Sequence, residues 1–272
     1  VDDAENFMDA GGTSLEALKL ASLLEKAFAV ELSATFVFEH PTVQKQTEDL
    51  IAQVDSNEAR PEKPEESRRN NEFAIVGIAC RFPGASTVDE YWKNLLESRE
   101  TVSFFTEDEL SPEVSIEERS NPAYVKAKGV LEGYDEFDAK FFGISPIEAR
   151  VMDPQQRIML QLCWHALEDA AIPPGDSQYR TGVFAGMNWA RYYQQYVLPN
   201  RELVESYGVL NCGLANEPDL LSTRVSYKLN LKGPSVNVFT ACSTGLVAVA
   251  QACEAIDNGQ CEQAIAAGVS IS

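Results

Sequence analysis

The sequence predicts two unlike parts, a partial all-α bundle followed by a larger α/β layered fold. Three observations carry this. Residues 55–71 read DSNEARPEKPEESRRNN, two prolines among charges with almost nothing apolar, a composition that cannot bury enough surface to order itself. Before it, apolar residues recur at helical spacing; after it, short apolar runs alternate with amphipathic stretches. The expected division is therefore 1–54, a linker over 55–71, and 72–272.

In the short part, Thr13-Ser-Leu-Glu16 fits a capping box opening a helix, with Leu15, Leu18, Leu23 and Leu24 as its apolar stripe before Phe28. A second helix is expected from Pro41, suited to a first helical position, burying Val43, Leu50 and Ile51. So little apolar material makes a poor independent core. The segment reads as the C-terminal part of a small bundle.

In the long part, Phe73–Ala79 reads as a buried strand. Asp153 caps a helix running to about Ala171, with Pro154 at its first position. Thr181–Gly186 reads as a strand, 218–228 as a helix and Ser235–Thr240 as a strand. Residues 243–257 read as a helix closed by Asn258-Gly259, burying Leu246, Val249, Cys253 and Ile256. Gln263–Ser272 begins one more buried strand, so the fold is expected to continue past 272.

Composition narrows the function. The formal net charge is −20, a balance that repels nucleic-acid phosphates and anionic lipids. No apolar run approaches the ~20 residues of a membrane span, and no export signal opens the chain, so a cytoplasmic location is expected. Cysteines at 80, 163, 212, 242, 253 and 261 have neither zinc-site nor disulfide-scaffold spacing, and no metal is expected.

Two positions carry chemistry. Asp9-Ala-Gly-Gly-Thr-Ser-Leu15 puts Ser14 at the mouth of a helix, where free N–H groups favour a phosphate. A serine there is ordinarily only a cap, but Thr13 caps better by spacing and frees Ser14. In Gly233-Pro-Ser-Val-Asn-Val-Phe-Thr-Ala-Cys242-Ser-Thr-Gly245 a strand feeds a tight turn and then a helix. Cys242 sits at that turn among small neighbours, and a helix N-terminus stabilises negative charge on a nucleophile. Cys253, in the helix beyond, reads as a core residue.

Through Gly11-Gly-Thr-Ser-Leu15, the helix after it and Phe38-Glu-His-Pro-Thr42, the short part resembles an acyl or peptidyl carrier domain. The resemblance implies that Ser14 bears covalent 4′-phosphopantetheine, installed by a phosphopantetheinyl transferase, whose thiol carries an acyl chain. Ten acidic against three basic residues up to Val54 would suit docking to basic partners.

The long part resembles a β-ketoacyl synthase of polyketide synthases along its whole length. The matching stretches are Ala74–Gly84, Phe137–Ala149, Met152–Arg157, Arg224–Ser235 and Thr240-Ala-Cys-Ser243. This resemblance implies a thiolase-like layered fold and a homodimer. It also implies that Cys242 accepts an acyl group from an upstream carrier for decarboxylative condensation with a malonyl-type extender on a downstream one. Upstream and downstream synthase modules are the implied partners. The double glycine is closer to peptidyl carriers, so a hybrid peptide–polyketide line and a polyketide line both stand.

Two departures from the family pattern are Phe239, where Asp is common, and Gly245, where Ser is frequent. The family's condensation uses two histidines. The only ones here, His40 and His165, match neither, so these residues alone are not expected to condense. A non-elongating synthase that only holds or passes on acyl chains is the alternative reading, and a docking scaffold a third.

Overall fold

The computed structural model describes residues 6–28, 30, 32–33, 35–56, 72–112, 114–175 and 178–271. Two compact units divide between Asn71 and Glu72.

The first unit contains α1 (Ser14–Phe28), α2 (Phe36–Glu39) and α3 (Val43–Ser56). The capping box opens α1: Glu16 N donates to Thr13 Oγ1, and the Glu16 carboxylate accepts from Thr13 N and from its hydroxyl. The inward stripe is buried Ala17 and Ala21 with half-buried Leu20 and Leu24, packed with Phe7, Phe36, Val37 and Leu50. This corrects the expected stripe, since Leu15, Leu18 and Leu23 face solvent. Alanine at 17 and 21 lets α2 approach closely, a packing that ranking by hydrophobicity overlooks. Likewise α3 starts two residues past Pro41, and of Val43, Leu50 and Ile51 only Leu50 is buried. Its last turn reaches Ser56, and the charged stretch from 57 to 71 lies outside the described residues.

The second unit opens with α4 (Val88–Leu96), β1 (Ser103–Phe104), α5 (Ile116–Ser120), β2 (Ala127–Lys128), α6 (Pro146–Val151) and α7 (Pro154–Asp169). There follow β3 (Thr181–Met187), α8 (Arg201–Tyr207), α9 (Val209–Leu214), α10 (Leu221–Lys228), β4 (Ser235–Asn237), α11 (Thr244–Asp257) and β5 (Gln263–Val269). Strands β4, β3 and β5 form a parallel sheet in that order, with Val183 opposite Ser235 and Ile265.

The central strand is buried throughout, as a doubly covered parallel strand must be. Its side chains alternate with period two. Val183, Ala185 and Met187 enter one core with Met159, Leu160, Cys163 and Leu167 of α7 and Leu221 and Val225 of α10. Phe184 enters the other with Val238, Cys261 and Ala248, Ala252 and Ala255 of α11.

Asp153 caps α7 as expected, its carboxylate accepting from Gln155 N at 2.8 Å with Pro154 first in the helix. Three expectations are corrected. Residues 73–79 form no ladder among the described residues, and Ile75 is 86% exposed. The segment is tied to α7 instead, by Ile78 N donating to the Asp169 carboxylate and by Gly77 against the backbone of Ala166. Strand β4 ends at Asn237 rather than Thr240. On α11 the alanines turn inward, Leu246 is 80% exposed, Val249 is exposed and Cys253 is only half-buried. Small residues let α11 lie close on the sheet, and the large ones are left on its outer side.

Candidate functional site

In the first unit, the sequence at the mouth of α1 separates capping from chemistry. The Thr13 hydroxyl, and then the Thr13 backbone N–H, hold the Glu16 carboxyl below the usual carboxylate range. Ser14, the next residue, is exposed at the first position of the helix, with no part in that box. Gly11 has a φ of +93°, a conformation that glycine adopts without strain, and a side chain there would meet nothing within 4 Å. An exposed hydroxyl at a helix N-terminus fits attachment of a phosphodiester-linked arm.

His40 is half-buried, tilted against Phe36 at 5.0 Å and 3.8 Å from the Asp49 carboxylate. That is a structural setting.

In the second unit, β4 leads through Val238 and Phe239 into a single 3-10 turn, Ala241–Ser243, and then into α11. The turn is held by hydroxyls. Thr244 Oγ1 accepts from Thr240 N at 3.1 Å and donates to the Ala241 carbonyl at 2.8 Å, and Ser243 Oγ donates to the Thr240 carbonyl at 2.7 Å. Ala241 is bent to a φ of +52°, left-handed backbone that costs a non-glycine residue ~1 kcal/mol or more. Cys242, next to it, is exposed at the crest of the bend.

Beneath the crest the packing is tight. A side chain on Gly186 of β3 would strike the Val238 carbonyl and the Thr244 methyl, and one on Gly268 of β5 would lie 3.6 Å from Gly245. At Gly186 anything larger would lift the elbow, whereas at Gly268 a methyl group would only reach ordinary van der Waals contact with it. Sequence reasoning missed Gly186, Gly268 and Thr244; an isolated glycine in a strand was the available signal for close backbone approach.

The other cysteines contrast with Cys242. Cys163, Cys212 and Cys261 are buried, and burial pushes the Cys163 thiol up to about 12. Desolvation also raises the thiols of Cys212, Cys261 and Cys80. His165 is exposed on α7. A cavity of about 370 Å³ is lined by Thr223, Ser226, Tyr227, Asn230, Leu231 and Lys232, not by Cys242. No cluster of potential metal ligands occurs among the described residues, and no helix among them is long and apolar enough to cross a membrane.

Comparison with known proteins identifies the family of each region. Residues 70–272 match the β-ketoacyl synthase N-terminal domain, and residues 1–50 match the phosphopantetheine attachment site. The chain is 38% identical over its full length to the pikromycin polyketide synthase component PikAII of Streptomyces venezuelae. Over 74% of its length it is 42% identical to a phenolphthiocerol/phthiocerol polyketide synthase of Mycobacterium tuberculosis. It spans only 7% and 14% of these two relatives. Ketosynthase twelve of the bacillaene polyketide synthase from Bacillus amyloliquefaciens superposes with a TM-score of 0.64 at 38% identity, covering 73% of this chain and 34% of that one. An oxazolomycin ketosynthase domain from Streptomyces albus gives 0.62 at 37%, covering 74% of this chain and 35% of that one. With a phosphopantetheine carrier region ahead of an α/β unit of ketosynthase type, the chain belongs to the β-ketoacyl synthase family of modular polyketide synthases.

Proposed function

We propose that residues 72–272 accept an acyl group on Cys242, and that residues 1–54 are a carrier domain that bears its prosthetic arm on Ser14, with 55–71 as the linker between them. The observation that carries the synthase reading is the exposed Cys242 sulfur on a strained strand-to-helix bend, in a unit whose Cys163, Cys212 and Cys261 are sealed in the core.

The chemistry follows in two stages. Cys242 attacks the carbonyl of an acyl thioester delivered by an upstream carrier. Its S–C bond forms, the carrier's sulfur leaves, and the proton lost by Cys242 ends on that sulfur. Backbone N–H groups at the elbow, that of Cys242 included, stabilise the oxyanion formed on the way. In the second stage a malonyl-type extender loses carbon dioxide, and the resulting carbanion attacks the acyl carbon. A C–C bond forms, the bond to Cys242 breaks, and the cysteine is regenerated. Splitting one condensation into two acyl transfers lowers each barrier. Neither His40 nor His165 matches the histidines that the family uses in the second stage, so residues 1–272 alone supply acyl acceptance and not condensation.

On the carrier side, Ser14 offers the hydroxyl, while Thr13 and Glu16 cap the helix mouth without drawing on it. When attached, 4′-phosphopantetheine supplies a long arm ending in an acyl-bearing thiol. The proposed partners are a phosphopantetheinyl transferase, upstream and downstream synthase modules, and a second copy of the ketosynthase.

The test is acyl uptake by the full-length protein. Cys242→Ala should abolish acyl incorporation into the synthase region while Ser14 still accepts its arm. Undiminished acylation of that region in Cys242→Ala would refute the proposal. Acylation at Cys242 without release of carbon dioxide from a malonyl extender would instead indicate a synthase that only holds or passes on chains.

A further inference from the structure

We propose that Gln155 is a positioning residue for Cys242, acting through the ends of the two strands on which the elbow rests. The inference rests on the reading of Cys242 as the acyl acceptor.

Gln155 is the second residue of α7 and is 2% exposed. Its carboxamide is engaged on both atoms. Oε1 accepts from Asn188 N and from Ile271 N, each at 3.2 Å. Nε2 lies 3.4 Å from the carbonyls of Asn188 and Trp189 and from the Asp153 carboxylate. A buried polar group is kept only where its partners are met, and here one oxygen meets two backbone donors that lie far apart in the chain.

Their places matter more than their number. Asn188 follows the end of β3 at Met187, and Ile271 follows the end of β5 at Val269. The two strands are already joined at this end, Asn188 N donating also to the Val269 carbonyl and Asn188 Nδ2 to Ser270 Oγ. Gln155 thus clamps the same strand ends that carry Gly186 and Gly268, the glycines on which Thr244 and Gly245 rest. Thr244 in turn fixes Thr240 and Ala241 on the near side of Cys242. A shift of either strand end moves the platform of the elbow, and a displacement near 1 Å costs an acyl transfer up to ~100-fold in rate.

The geometry asks for an amide at 155. Methionine has the volume and no polar atoms, asparagine lacks the reach, and glutamate can accept from both N–H groups but cannot donate.

The experiment measures two rates at Cys242 in the full-length protein by peptide mass mapping. One is acylation by the N-acetylcysteamine thioester of hexanoate, which needs an aligned carbonyl and oxyanion donors. The other is alkylation by iodoacetamide, which needs an accessible thiolate but no aligned carbonyl or oxyanion donors. Gln155→Met should slow acylation about tenfold or more, leave alkylation within about threefold, and leave Cys163 protected from iodoacetamide. Gln155→Glu keeps the acceptor but sets a carboxyl oxygen against the Asp153 carboxylate and two carbonyls, so it should not restore the acylation rate.

Acylation of Gln155→Met within about twofold of wild type would overturn the inference, as would equal losses in both rates. If Gln155→Met exposes Cys163, Gln155→Asn decides by the same criteria. Exposure of Cys163 in both variants would mark Gln155 as purely structural and overturn the inference as well. No acylation of Cys242 in the wild-type protein would instead remove the reading on which it rests.

Discussion

Gly186 lies directly beneath Val238, so close that a single methyl group on it would collide with the Val238 carbonyl oxygen. The same methyl would stand 2.6 Å from Thr244 Cγ2, and Thr244 holds the turn that presents Cys242. Strand β3 is buried along its length and cannot move aside.

Gly186→Ala should therefore damage the elbow before it unfolds the sheet. The expected cost is about 2 kcal/mol or more, because the obstacle is backbone and not the flexible end of a side chain. Urea denaturation of the full-length protein reads the stability loss, and acylation of Cys242 should fall further than stability alone explains. Gly182→Ala serves as the comparison. Its nearest neighbours, at 3.0 and 3.2 Å, are the side chains of Phe184 and Cys261, so it should be the milder of the two.

At the carrier, Thr13 and Ser14 are adjacent hydroxyls with different expected fates. Incubation with a phosphopantetheinyl transferase and coenzyme A should add the arm to the Ser14 peptide. Ser14→Ala should take up none. Thr13→Ala should still be loaded while its α1 helix frays, since it loses the hydroxyl that receives Glu16 N. Loading on Thr13 instead would reverse the assignment.

Cys163 makes stability depend on alkaline pH. Burial raises its thiol from an ordinary 9.0 to about 12 in the folded protein. The fold thus prefers the neutral thiol, and this contribution is fully present below pH 9.0 and is lost as pH rises toward 12. The loss is on the order of 4 kcal/mol across that window. Urea unfolding at about pH 7 and about pH 11 should show a steeper decline for wild type than for Cys163→Ala. Equal declines would show that Cys163 does not titrate on unfolding.

What the sequence made legible was mostly local. The Asp153 cap with Pro154, and the pairing of Thr13 with Glu16, are settled by neighbours in the chain. Apolar runs located β3 and β5, because a strand covered on both faces leaves a continuous hydrophobic trace. Burial within helices was read less well. In α1 and α11 both faces carry apolar residues, and the side packed against a neighbour is the one with alanine, which lets backbones approach. Residues 73–79 have the composition of a strand, but a ladder depends on distant partners that composition does not reveal. At the elbow, Cys242 was conspicuous by its setting. Thr244, Gly186 and Gln155 were not, since each acts through contacts distant in the chain or through a turn whose shape only the folded backbone fixes.

As the nucleophile, Cys242 must have a reactivity that Cys253, in the helix just beyond it, lacks. Limiting iodoacetamide applied to the full-length protein, followed by peptide mass mapping, compares exposed Cys242 with half-buried Cys253 in one sample. Label should appear on Cys242 first, about tenfold or more ahead of Cys253. Equal labelling of the two, or Cys253 leading, would contradict the assignment of Cys242 as the nucleophile.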